Sequence, residues 1–128
     1  MKKVLVTGGA GFIGSTLVDK LIERNIEVIV VDNLSSGKKD NLNPKAEFIR
    51  ADISTDRPLF SNVDTVFHLA ATPQVQYSIE NPTDNNNLNS LINMLNLSKK
   101  AGVKRFIFSS SSAVYGNPQY TPIDENHP

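Results

Sequence analysis

Residues 3–15 read KVLVTGGAGFIGS, and this stretch decides the fold. Its first part, Lys3–Thr7, is a short run rich in β-branched valine and apolar on both faces of an extended chain. Such a run is a strand buried in a parallel sheet rather than half-exposed in an antiparallel one. Glycines follow at Gly8, Gly11 and Gly14, and then Ile13, Leu17, Leu21 and Ile22 share one helical face. Strand, glycine turn and helix in direct succession place free N–H groups and the positive end of a helix dipole where an anion can sit. Each glycine has a task. Gly8 permits the tight turn out of the strand, Gly11 lets a pyrophosphate approach the backbone, and Gly14 lets the helix pack close to the sheet. An acid, Asp32, ends the next apolar run, Glu27–Asp32, where it can accept hydrogen bonds from a ribose hydroxyl pair. Its charge repels a 2′-phosphate and so favours NAD over NADP, although Lys38 and Lys39 lie near enough in sequence to weaken that preference. No G-x-x-x-x-G-K-[ST] pattern occurs, which excludes a Walker A loop.

Further apolar runs at Glu47–Arg50, 65–69 and 105–109 extend the pattern to five strands separated by helical or loop segments. Strands and helices in alternation imply right-handed crossovers, and so an α/β, doubly wound parallel sheet in three layers, with strand order 3-2-1-4-5. Asn25 can take the left-handed conformation that ends the first helix. The second helix carries Leu88, Leu91, Ile92 and Leu95 as an apolar stripe, with Asn81 as N-cap, Pro82 in its first turn and Gly102 closing it. The stretches 34–44 and 53–63 read as loops that can hold short helices. Pro118, Pro122 and Pro128 keep the tail after the fifth strand from forming a helix or a central strand.

The chain has 128 residues, one domain's worth, with 39% hydrophobic residues and 13 basic against 13 acidic side chains. A net charge of zero gives no general attraction to nucleic acid or to an anionic membrane. The absence of cysteine excludes a disulfide framework, a thiolate nucleophile and a cysteine zinc site. Two histidines, His68 and His127, do not make a histidine metal cluster, and His68, set in an apolar strand, reads as a core residue. No apolar run approaches a membrane span, and the start meets glycine too soon for a signal peptide. The expectation is a soluble, cytoplasmic protein with no metal.

Taken together, these motifs resemble the N-terminal part of the extended short-chain dehydrogenase/reductase family, in its NAD-dependent nucleotide-sugar epimerase/dehydratase group. Thr7–Ser15 is similar to that group's cofactor loop, with Gly8, Gly11, Phe12, Ile13 and Gly14 on the cofactor. Asp32, Asn33, Leu34, Ser35, Ser36 and Gly37 resemble its adenosine-ribose segment, and Asp52 and Ile53 stand where the group contacts adenine. His68, Leu69, Ala70 and Ala71 resemble the strand end that borders the nicotinamide ribose, with Leu69, Ala70 and Ala71 on the cofactor. By the same resemblance Asn86 lies near the nicotinamide half, with Asn89 as the alternative register. Gln74, Val75, Ser78 and Pro82 match the loop after the fourth strand, whereas Ser90 and Leu91 replace the group's usual Gly-Thr.

The segment Ser109–Gly116 resembles the group's active-site serine segment, in which one hydroxyl bonds the sugar hydroxyl being oxidised; the match is Ser111, with Ser110 as the alternative. The group's 4,6-dehydratases carry Asp-Glu where Ser112 and Ala113 stand here, which argues for epimerisation over dehydration. The resemblance implies transient oxidation at sugar C4 by bound NAD, a nucleotide-sugar substrate and a homodimer for the parent protein, with no nucleic-acid or membrane partner. The group's catalytic Tyr-x-x-x-Lys would follow Pro128, and neither Tyr115 nor Tyr120 supplies it. Residues 1–128 are therefore expected to be an NAD-binding Rossmann domain cut before that helix and before the substrate domain. Such a chain would bind NAD without turnover, leave part of one sheet face uncovered, and be modestly stable and prone to associate. The rival readings are a stand-alone, non-catalytic NAD-binding module and an NADP-linked nucleotide-sugar reductase.

Overall fold

The computed structural model describes residues 2–72, 75–81, 83–84 and 86–128, without the side chains of Val75, Gln76 and Ser78. Its strands are β1 (Lys3–Thr7), β2 (Glu27–Asp32), β3 (Glu47–Arg50), β4 (Thr65–His68) and β5 (Arg105–Phe108). They form one parallel sheet in the expected order, β3-β2-β1-β4-β5. Successive strand side chains point to opposite faces, so runs apolar throughout must feed two cores. Val4, Val6, Val28 and Val30 pack on one face with Val18 and Leu21 of α1 (Phe12–Glu23). Leu5, Ile29, Val31 and Val66 pack on the other with Met94 of α3 (Asn86–Lys100). The result is the three-layer, doubly wound arrangement, and the strand order reverses between β1 and β4, where such sheets open a crevice.

Helix α1 ends as expected, on Asn25 in the left-handed region at φ 58°. Ile13, however, is 68% exposed, and the buried side of α1 is Gly14, Val18 and Leu21. The second long helix differs more. It begins at Asn86 rather than at Asn81, and Pro82 lies outside the described residues, as do Gln74 and Asn85. Asn81 instead closes a short helix, α2 (Val75–Glu80), by donating its backbone N–H (2.8 Å) and its Nδ2 (3.1 Å) to the Tyr77 carbonyl. An amide bonded back into the preceding turn does not cap the next one. Asp84 serves there, accepting the Asn86 N–H at 2.9 Å.

Of the expected apolar stripe of α3, Leu88 (54%), Ile92 (48%) and Leu95 (44%) stand exposed, and Leu91 is half-buried. The buried side is Ser90, Met94 and Ser98. Small serines on either side of one methionine let the helix backbone lie close to the sheet.

Strands β4 and β5 stop one residue short of the expected 65–69 and 105–109; beyond β4 the N–H groups of Leu69 and Ala70 reach Thr7 Oγ1, and beyond β5 Ser109 donates its N–H to the His68 carbonyl. The stretch 34–44 holds one 3-10 turn, Lys39–Asn41, and 53–63 holds no helix. The tail beyond β5 contains a 3-10 turn, Ser112–Tyr115, and neither strand nor α-helix. On β5, Ile107 is 45% and Phe108 48% exposed, and as neighbours along a strand they point to opposite faces of the sheet. No helix among the described residues is long and apolar enough to cross a membrane.

Candidate functional site

The carboxyl ends of β1 to β4 open on a cleft of about 370 Å³. Of the residues singled out in the sequence, it brings together Gly8, Asp32, Asn33, Ser35, Ser36, Asp52, Ile53, Ala70, Ala71 and Asn86. Gly11, Phe12, Ile13, Gly14, Leu34, Gly37, Leu69 and Ser111 are not in its lining. Their places follow from the local chain.

Gly8 adopts φ +71°, and a Cβ there would come within 2.9 Å of the Ala70 backbone. The turn out of β1 therefore lies directly against the chain leaving β4. A Cβ on Gly14 would run into the Gly8 carbonyl oxygen. Gly14 thus packs α1 onto the glycine turn itself, not onto the sheet as expected. The contact with a strand falls to Gly9, where a Cβ would meet the Val30 side chain. Around Gly11 a Cβ would touch only the Gly8 oxygen, at 3.2 Å. Gly11 is the N-cap of α1, no side chain caps that end, and no acid occupies the first turn. An anion there would meet helix N–H groups and the positive end of the dipole. Phe12 and Ile13 stand exposed beside it.

Asp32 is only 8% exposed, and its carboxylate joins two loops. One oxygen accepts the Ala10 N–H (3.0 Å) and the other the Leu34 N–H (2.8 Å), with Leu34 held at φ 61°. An ionised carboxylate offers about four lone-pair sites, so roughly half its capacity is left for a ligand. Gly37 packs against Ala10, and Lys38 and Asn41 donate to the Ala10 carbonyl, which fixes the loop after β2 onto the glycine turn. Asn33 reaches from that loop to Asp52, its Nδ2 donating to Oδ2 at 3.2 Å. Ser54 donates both its hydroxyl (2.6 Å) and its N–H (2.9 Å) to Asp52 Oδ1. These bonds, those from Ser54 first, hold the Asp52 carboxyl below the usual carboxylate range.

The opposite wall is set by Thr7 and His68, neighbours across β1 and β4. Thr7 Oγ1 accepts the Leu69 and Ala70 N–H groups, both at 3.2 Å, which leaves its proton for His68 Nδ1 at 3.0 Å. The imidazole is therefore neutral, with its own proton on Nε2. It is 1% exposed between the rings of Phe106 and Phe108, and burial pushes its pKa down to about 4. His68 is a core residue, as its sequence setting implies.

Asn86 reaches the cleft rim, but its side chain is engaged by Asp84, Nδ2 donating at 2.9 Å. Its neighbour Asn87, also in the lining, bonds the Thr72 backbone from both ends of its amide. Asn89 is exposed and lies outside the lining. Tyr77 of α2 faces the cleft, and the Asp84 carboxylate that accepts from its hydroxyl holds its pKa above the usual phenol range. Val31, Ala51, Ser54, Thr72, Tyr77, Asn87 and Ser90 complete the lining and were not read as site residues from the sequence. The Asp-x-Ser spacing at Asp52 was a usable signal for Ser54. Tyr77 and Thr72 carry no local signal and arrive through the fold. Ser111 lies in the tail, exposed, its Oγ accepting the Ala113 N–H at 3.2 Å.

A glycine cradle that a Cβ would fill, an uncapped helix N-terminus, a buried acid with acceptor capacity and a flat alanine wall fit a dinucleotide. The comparisons agree. The model of the NAD dependent epimerase/dehydratase family matches residues 4–128. A Methanocaldococcus jannaschii protein provisionally described as a UDP-glucose 4-epimerase is 52% identical over 98% of this chain and 43% of its own length. UDP-glucuronic acid decarboxylase 1 of Arabidopsis thaliana is 44% identical over 98% of this chain and 30% of its own. The solved UDP-glucose 4-epimerase of Thermus thermophilus, a complex with NAD, superposes with a TM-score of 0.84 at 38% identity, over 98% of this chain and 43% of that one. The chain thus spans less than half the length of these relatives.

Proposed function

The chain belongs to the NAD dependent epimerase/dehydratase family, and on that premise we propose that its cleft binds NAD and that the whole protein epimerises a nucleotide sugar at C4. The observation that carries the reading is Asp32, buried at the end of β2, tied to the glycine turn through Ala10 and still in the cleft lining. Asp32 takes the adenosine ribose hydroxyls, with the loop from Asn33 through Leu34, Ser35, Ser36 and Gly37 closing around them. Gly8, Gly11, Phe12, Ile13 and Gly14 bring the α1 N-terminus to the pyrophosphate. Asp52 and Ile53 border adenine, and Leu69, Ala70, Ala71 and Asn86 border the nicotinamide ribose.

NAD, when bound, supplies the hydride acceptor. Ser111 orients the reacting sugar hydroxyl: its oxygen already accepts the Ala113 N–H, so its proton is free to donate to the sugar oxygen. Ser112 and Ala113, where the group's 4,6-dehydratases carry Asp-Glu, favour epimerisation. Residues 1–128 are the NAD-binding part.

Calorimetric titration with NAD and NADP tests the reading. NAD is expected to bind the tighter, and Asp32→Ala to lose the preference. Tighter binding of NADP would overturn the NAD assignment.

A further inference from the structure

Helix α3 does more than cover the sheet. Asn93, which is not in the cleft lining, donates its amide Nδ2 to two backbone carbonyls of the loop after β3, Ile53 at 2.9 Å and Asp56 at 2.7 Å. Both amide hydrogens are used, and they bracket Ile53–Asp56 just beyond the Asp52 carboxyl. Six residues earlier, Asn87 grips the loop after β4: its Oδ1 accepts the Thr72 N–H at 2.7 Å and its Nδ2 donates to the Thr72 carbonyl at 3.2 Å. The two amides give both loops the backbone partners that a neighbouring strand would otherwise supply. We propose that Asn93 and Asn87 are positioning residues through which α3 pre-forms the two ends of the cleft. Asn93 acts on the end lined by Asp52, Ile53 and Ser54, and Asn87 on the end lined by Ala71 and Thr72.

The inference rests on the nucleotide-binding reading for the identity of each end: the adenosine half beside Asp52, the nicotinamide half beside Ala71. Neither side chain contributes helix stability that alanine would remove, since alanine is the better helix former. A loss in Asn93→Ala or Asn87→Ala is therefore a loss of loop positioning.

The test uses this chain, its two alanine variants and Asn96→Ala on the exposed side of α3 as a control. Amide hydrogen exchange reads the loops, and ADP and nicotinamide mononucleotide serve as probes of the two halves. In Asn93→Ala the Ser54 and Asp56 amides are expected to exchange at least tenfold faster, and ADP to bind about fivefold more weakly. Thr72 exchange and mononucleotide binding should stay within twofold. Asn87→Ala is expected to give the reverse pattern, and Asn96→Ala to change neither. Equal effects of both variants on both loops, or no acceleration at either, would overturn the proposal. So would faster exchange with unchanged probe affinity. If the unaltered chain binds neither probe, the nucleotide reading fails, and the exchange rates alone then decide whether the clamps exist. Should an alanine variant fail to fold, the isosteric Asn93→Asp and Asn87→Asp carry the same test, because each replaces the carbonyl-facing donor with a repelling oxygen.

Discussion

At Gly14 a single methyl group would strike the Gly8 carbonyl oxygen, while at Gly11 it would only brush it. The two glycines therefore separate folding from binding. Gly14→Ala is expected to destabilise the chain by about 1–3 kcal/mol, as overpacking typically does. Gly11→Ala, with its looser 3.2 Å contact, should cost less stability than Gly14→Ala and weaken NAD binding. Denaturant titration and calorimetry on the two variants check this.

His68 sets the acid limit. Its pKa falls from the ordinary 6.5 to about 4 in the fold, so the unfolded chain binds the extra proton first. Its contribution to stability is complete above pH 6.5 and is lost as pH falls toward 4, amounting to about 2–3 kcal/mol. Denaturant midpoints from pH 8 to 4 should drop through that window, and His68→Asn should flatten the slope.

Helix α3 carries the sharpest difference between pattern and packing. Met94, fully buried, should cost about 2–5 kcal/mol on truncation to alanine. Ile92→Ala, on the outward face, should cost less than about 1 kcal/mol. The reverse ranking would mean that the stripe read from the sequence is the buried one. The strands were legible because each is apolar on both faces, a pattern that leaves little choice of environment. Helix α1 was legible at its end because Asn25 sits where a left-handed residue is needed. The buried face of α3 was not, because a residue such as Ser98 looks polar yet is small enough to lie against the sheet. Its start was misplaced because Asn81 and Asp84 carry the same capping chemistry. Only the fold shows that Asn81 bonds backwards. The clamps of Asn87 and Asn93 join segments 15 and 40 residues apart, a separation at which sequence spacing carries no signal.

Across the whole molecule, the site lies where the strand order reverses, and the predicted residues that line it come mostly from the chain leaving the carboxyl ends of β1, β2, β3 and β4. The half-exposed Ile107 and Phe108 of β5 keep the expectation of self-association in play. Sedimentation should show concentration-dependent mass, and a monodisperse monomer melting at high temperature would contradict it. The central claim is that the cleft between the glycine turn and Asp52 holds NAD. Its most direct test is an NMR titration of the isotopically labelled chain with NAD. Saturable amide shifts are expected at Gly8, Gly11, Asn33, Ser35, Ile53, Ala70 and Ala71, with the outer face of α3 at Leu88, Ile92 and Leu95 unmoved. A folded chain whose cleft amides do not move, or whose shifts fall on that outer face, would contradict the account.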